Sequence, residues 1–108
     1  MLRLEDVEDP LPGPAQAVVR VRACGLNHLD VDVRSGLSRF PVPLPYTPGY
    51  EAVGEIDSMG PGVTGWSVGD RVLVFFCTTC GQCALCRSGR QPLCDNLAFV
   101  SIDSPGAF

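Results

Sequence analysis

The sequence contains no lysine: all eight basic residues are arginine, set against twelve Asp and Glu. With a formal net charge of -4 and no basic stripe, it offers no counter-charge to a phosphate backbone, which excludes nucleic acid as the expected partner. The exclusive use of Arg reads as a compositional bias of the source rather than as function. Long apolar runs are also missing. None approaches the ~20 residues needed to span a bilayer, so no membrane segment is expected. Nor does an apolar stretch of the secretory type follow Met1, which points to a soluble, cytoplasmic protein. Histidine occurs once, at His28.

What the chain has instead is cysteine, glycine and proline: six, twelve and ten residues respectively. At 108 residues it is one domain at most, measured against ~150 residues per domain. The density of Gly and Pro favours short strands and many turns over long helices, and hence a mainly β core. A domain of this size has a modest core, for which a metal staple is plausible.

Five of the six cysteines fall in the run Cys77-Thr-Thr-Cys80-Gly-Gln-Cys83-Ala-Leu-Cys86-Arg-Ser-Gly-Arg-Gln-Pro-Leu-Cys94. Thiolates this close in sequence repel one another unless a cation neutralises them, so the run reads as a zinc loop. Cys80, Cys83, Cys86 and Cys94 form one C-x2-C-x2-C-x7-C set, while Cys77, Cys80, Cys83 and Cys94 form another. Gly81 and Gly89 lie where a chain wrapping an ion must turn sharply, which favours the first set. Cys77 is then either a fifth sulfur beside the metal or a packed strand residue. A disulfide cluster fits poorly with a chain that lacks a secretory leader. An iron-sulfur electron carrier is the chemical rival, although the spacing C-x2-C-x2-C-x3-C-P is not met.

Residues 1–16 are acidic and Pro-rich, an extended lead-in able to pair at most along an edge. Residues 17–24 alternate with period two, placing Val19, Val21 and Ala23 on one face and Arg20 and Arg22 on the other, which predicts a strand. Cys24, at its end, is expected to pack as a small apolar residue. Asn27 to Arg34 has room for two helical turns, with Asn27 as N-cap and Gly36 just past the end. Pro41, Pro43, Pro45 and Pro48 forbid a helix over 37–49 and mark a long exposed connection. Residues 51–58 predict a strand in which Gly54 marks a bulge or a close backbone approach. Residues 71–76 form an almost continuous apolar run, expected to be buried on both faces or nearly so. Gly60-Pro-Gly-Val-Thr-Gly65 spells G-x-G-x-x-G, but Trp66 to Asp70 leads into another turn rather than a helix. The dinucleotide fingerprint is therefore rejected there.

Gly25-Leu-Asn-His-Leu-Asp30, Pro48-Gly-Tyr-Glu51 with Gly54, Gly60 to Gly65 followed by Val68-Gly-Asp-Arg-Val72, and the cysteine lobe occur in an order that resembles the N-terminal GroES-like domain of the medium-chain, zinc-containing alcohol dehydrogenase superfamily. The resemblance covers nearly the whole chain. It implies a partly open β-barrel with a short helix and a zinc lobe at 77–94, forming the substrate half of an NAD(P)-dependent oxidoreductase. A Rossmann domain is absent from residues 1–108, which resemble a piece truncated at both ends and inactive alone. The lobe corresponds to the family's structural zinc site, with Cys80, Cys83, Cys86 and Cys94 as ligands, and the family pattern implies a homo-oligomer when full length.

Members with a catalytic zinc place Cys at the position of Asn27 and His at that of Tyr50, followed by an acidic residue that matches Glu51. Their further ligand lies beyond this chain. An amide and a neutral phenol are poor ligands for an ion that prefers thiolate and imidazole, so no catalytic zinc is expected. Leu29 stands where many alcohol dehydrogenases carry a proton-passing hydroxyl. These replacements resemble the zinc-free quinone oxidoreductase branch, which passes hydride from NADPH to a conjugated carbonyl but generally lacks the cysteine lobe. The candidate cleft residues are thus Asn27, Tyr50 and Glu51, and the implied substrate is a small carbonyl compound or alcohol. His28 matches a position facing the cofactor pyrophosphate in some relatives; otherwise it is a surface residue at a helix start. The alternative from another class is a free-standing zinc-stabilised binding module.

Overall fold

The computed structural model describes residues 2–108. Two open antiparallel sheets carry the fold. The larger has strand order β1-β2-β3, formed by β1 (Ala17–Gly25), β2 (Glu51–Met59) and β3 (Arg71–Val74). The smaller pairs β4 (Cys77–Thr78) with β5 (Ala98–Phe99). Helix α1 (His28–Ser35) follows β1, and a single turn, α2 (Ala84–Arg87), sits within the cysteine run. The architecture is mainly β and does not close into a barrel, leaving β1 and β3 as edges.

β2 is the central strand and shows why its sequence folds as it does. Ala52, Gly54 and Ile56 are all buried, two residues apart on one face. On the opposite face Val53 pairs with Leu73, and both are exposed. Gly54 marks a close approach: a Cβ there would stand 2.3 Å from the Arg20 carbonyl oxygen. The bulges themselves lie in β1, where the register shifts between Val18 and Val19 and between Val21 and Ala23. They break the strict alternation expected of that strand, so Val21 and Ala23 are exposed while Val18 and Val19 are half-buried. On the solvent face, Arg20 and Arg22 reach across to Asp57 and Glu55, with Arg20 Nε 3.0 Å from Asp57 and Arg22 2.9 Å from Glu55.

The expected burial of residues 71–76 on both faces is not what the structure shows. β3 ends at Val74, and only Val72 and Val74, the side chains on the β2 core face, are half-buried. Leu73 is 70% exposed, Phe75 is largely open to solvent and Phe76 partly so. The reason is topological, because an edge strand has a partner on one side only and no second layer covers this face among the described residues. Residues 60–70 make the turn connection between β2 and β3 without a helix, as the rejection of the nucleotide fingerprint required. Residues 2–16 of the Pro-rich lead-in form no strand; the segment is held at its end by Ala15 donating to the Pro61 carbonyl and Gly60 donating to that of Gln16. The connection over 37–49 is irregular throughout.

Candidate functional site

Two groups of side chains carry chemistry. The first is the cysteine lobe, which hangs between β4 and β5. The sulfurs of Cys80, Cys83, Cys86 and Cys94 all lie within 4.8 Å of one another, and none of the six cysteines is in a disulfide. Cys80 Sγ stands 3.6 Å from Cys94 Sγ and 4.0 Å from Cys86 Sγ. Four sulfurs about one ion at ~2.3 Å would be separated by ~3.8 Å, so this donor set fits a single tetrahedral zinc. It suits one ion better than thiolates distributed over several irons.

The local chain builds this cage from backbone donors. Cys83 N–H donates to Cys80 Sγ and Cys86 N–H to Cys83 Sγ, each at 3.4 Å. Cys80 N–H reaches Cys94 Sγ at 3.3 Å, and Asn96 N–H reaches the same sulfur at 3.4 Å. Such donors favour thiolate, the form that binds metal. The Cys80 thiol is pulled down to about 6, mainly by the N–H groups of Gln82 and Cys83. Cys83 is lowered by those of Cys86 and Asp95. Cys86 is pushed the other way, up to about 12, by burial and by the neighbouring sulfurs. Gly81 and Gly89 both take positive φ, 70° and 76°, at the turns their positions anticipated. Cys77 lies outside the cluster. It is buried in β4 opposite Phe99, which makes it the packed strand residue of the two readings open for it.

The second group surrounds the start of α1. Asn27 is the N-cap residue, and its side-chain amide donates to Glu51 Oε2 at 2.7 Å rather than capping the helix. The cap function falls to Asp30, whose Oδ2 accepts from Asn27 N–H at 2.9 Å. Its Oδ1 accepts from Gly49 N–H at 3.0 Å, in a buried bond that ties α1 to the strand entry at Tyr50 and Glu51. Asp30 is only 5% exposed. It is the residue that sequence reasoning missed, since an acidic residue in the first helical turn ordinarily faces water; its place in the Asn27-x-x-Asp30 spacing of a capping box was the available signal.

Tyr50 is half-buried, and its phenol is raised above the ordinary tyrosine value by burial first and then by the charges of Asp30 and Glu51. It opens onto an apolar cavity of about 350 Å³ shared with Leu29, Phe40, Phe76 and Phe99. Asn27, Tyr50 and Glu51 are thus brought together at one end of the sheet. His28 is not: its side chain is 89% exposed, with Nε2 3.5 Å from Asp32 Oδ1 one helical turn on. Cys24 is half-buried at the end of β1, near Gly49.

Against known proteins, the alcohol dehydrogenase GroES-like domain family matches residues 13–108. The chain belongs to this family. Among curated members, an alcohol dehydrogenase from Geobacillus stearothermophilus is 40% identical over 108 residues, which is 99% of this chain and 32% of that protein. An L-threonine 3-dehydrogenase from Idiomarina loihiensis is 37% identical over 97% of this chain and 31% of its own length. The cobalt- and zinc-bound thermostable alcohol dehydrogenase from Pyrobaculum aerophilum superposes with a TM-score of 0.88 at 37% identity, over 97% of this chain and 32% of that one. The GroES-like domain described here therefore spans about a third of the length of the relatives it matches. Those relatives are dehydrogenases, and the mainly β fold agrees with the superposed structure. Among the described residues, no helix is long and apolar enough to cross a membrane.

Proposed function

We propose that this GroES-like domain is the substrate-side part of an NAD(P)-dependent dehydrogenase or reductase, stapled by one structural zinc on Cys80, Cys83, Cys86 and Cys94, with no catalytic zinc at Asn27 and Tyr50. The observation that carries the reading is the four-sulfur cage. A closed shell of four thiolates leaves no coordination position for substrate, so the ion's contribution is to hold the lobe folded.

The group of side chains around the start of α1 supports the second half of the proposal. Asn27 spends its amide on Glu51, and Tyr50 presents a neutral phenol beside an apolar cavity. Neither is the thiolate or imidazole that a zinc ion prefers. The acids nearby are also engaged, Asp30 by two backbone N–H groups and Glu51 by Asn27. NAD or NADP would be held mainly by polypeptide outside residues 1–108, and the substrate would be a small carbonyl compound or alcohol.

A domain within a larger, oligomeric protein also suits the open sheet. The radius of gyration is 14.9 Å, against ~13 Å for a compact domain of this length, and the outer face of β2 and β3 exposes Val53 and Leu73. This favours a domain in a longer enzyme, inactive alone, over a free-standing binding module.

Metal analysis of the purified chain tests the proposal. One zinc per chain is expected, with a tetrahedral thiolate spectrum on cobalt substitution. Two zinc ions would refute the reading of Asn27 and Tyr50, and none would refute the structural staple.

A further inference from the structure

We infer that the cavity beside Tyr50 receives a compact aryl or branched apolar ketone, or the corresponding alcohol, whose single oxygen meets the Tyr50 hydroxyl, and that it rejects amino alcohols and polyols. The inference rests on the substrate-binding role proposed above and narrows it to a chemical class.

At about 350 Å³ the cavity lies at the small end of the ~300–1,000 Å³ range of ligand pockets. Leu29 of α1, Phe40 of the Pro-rich connection, Phe76 just before β4 and Phe99 of β5 form its walls. Val100 and Ile102 also line it, and among the described residues the Tyr50 phenol is the only polar side chain in the lining. The aromatic walls are already arranged around one another. Phe99 lies 5.9 Å from Phe40, tilted by 48°, and 6.3 Å from Phe76, inclined by 17°. These are the centroid distances at which offset and tilted rings attract, and an aryl group entering the cavity can extend the same packing.

Polar substrates face a different balance. An ammonium or carboxylate placed here would lose water with no counter-charge in the lining. Asp30 and Glu51 lie outside the lining, with both Asp30 oxygens bonded to the Asn27 and Gly49 N–H groups and Glu51 Oε2 to the Asn27 amide, so neither carboxylate lines the cavity to pair directly with such a group. Each hydroxyl of a polyol beyond the first would likewise be buried without a side-chain partner. One polar contact on an otherwise apolar wall selects a ligand with one polar atom.

The test is a titration of the zinc-loaded, nitrogen-15-labelled chain, followed by amide chemical shifts. Acetophenone, L-threonine and sorbitol serve as probes, and toluene serves as an aryl probe without the oxygen. Acetophenone is expected to move the amides of Leu29, Tyr50, Phe76 and Phe99 at concentrations where L-threonine and sorbitol leave them unmoved. Tyr50→Phe should weaken acetophenone about five-fold, the worth of one hydrogen bond, while leaving toluene unchanged. The inference is overturned if either polar probe binds at these residues as well as acetophenone does. It is also overturned if acetophenone shifts map instead to Val53 and Leu73 on the open sheet, or if Tyr50→Phe is without effect on acetophenone. Zinc content is read on the same samples, so a failure of substrate class with one zinc per chain is separated from a failure of the domain assignment.

Discussion

Replacing Asp30 tests whether one buried carboxylate joins helix α1 to the strand entry at Tyr50. Its two oxygens accept backbone bonds of 2.9 Å from Asn27 and 3.0 Å from Gly49, and it is 5% exposed. A hydrogen bond to a charged group contributes about 1.5–3 kcal/mol net. Asp30→Ala therefore removes two such bonds and leaves two donors partly desolvated, a loss of about 3–6 kcal/mol by that measure. Against a total stability of ~5–15 kcal/mol this is a large fraction. With a urea slope of ~1–3 kcal/mol per molar, the unfolding midpoint should fall by about 2 M. Asp30→Asn retains the shape and one acceptor but turns an amide N–H toward a backbone N–H, so its cost should be intermediate, about 2 kcal/mol. The assay is equilibrium urea unfolding of the zinc-loaded chain, with Asp6→Asn in the exposed lead-in as control. A cost below about 1 kcal/mol for Asp30→Ala, or an Asp30→Asn variant indistinguishable from the control, would refute the bridging role, since loss of even one such bond should exceed it.

Serine at Cys80, Cys83, Cys86 or Cys94 should lower bound zinc below one per chain, whereas Cys77→Ser, which sits in β4 outside the cluster, should keep one; metal analysis after dialysis distinguishes them. Gly54→Ala places a methyl group 2.3 Å from the Arg20 carbonyl and 2.7 Å from Val19 Cγ1, which must part β1 from β2. Its cost should reach about 3 kcal/mol, at the upper end for overpacking, as read by thermal unfolding. Tyr46→Phe leaves the fully buried Ser101 hydroxyl without its 3.1 Å partner and should cost about 1–2 kcal/mol in the same assay. Tyr50 should ionise above the ordinary tyrosine value, because burial and the charges of Asp30 and Glu51 favour the neutral phenol. Its folded value being raised, the stability it contributes is complete below the unfolded value and is lost as pH rises through the folded one. A spectroscopic pH titration of tyrosinate, repeated on Tyr50→Phe, checks this.

The parts of the fold legible in the sequence are those governed by near neighbours. The alternation of Ala52, Gly54 and Ile56, the prolines over 37–49 and the turn glycines after Met59 each constrain the chain within a few residues, and the elements formed there. Leu73, Phe75 and Phe76 misled because an apolar run reports what a strand can bury, not whether a second layer covers it. Asp30 was hidden for the converse reason. Its partner at Gly49 lies nineteen residues away, and no local pattern distinguishes a carboxylate that reaches a distant backbone amide from one that faces water.

For the site, residue type and spacing alone determined that four cysteines could hold one ion, because short Cys-x-x-Cys steps allow few other geometries. The same letters placed an amide at Asn27 and a phenol at Tyr50, which sets what those positions can ligate. Only the tertiary structure decided which cysteine stands apart. Cys77 is drawn into strand pairing with Phe99, while Cys80 and Cys94 close to 3.6 Å across fourteen residues. Only the tertiary structure joined Asn27 to Glu51 and set Tyr50 beside Leu29, Phe40 and Phe99, since pairing and packing over such separations depend on where the sheets and helix meet.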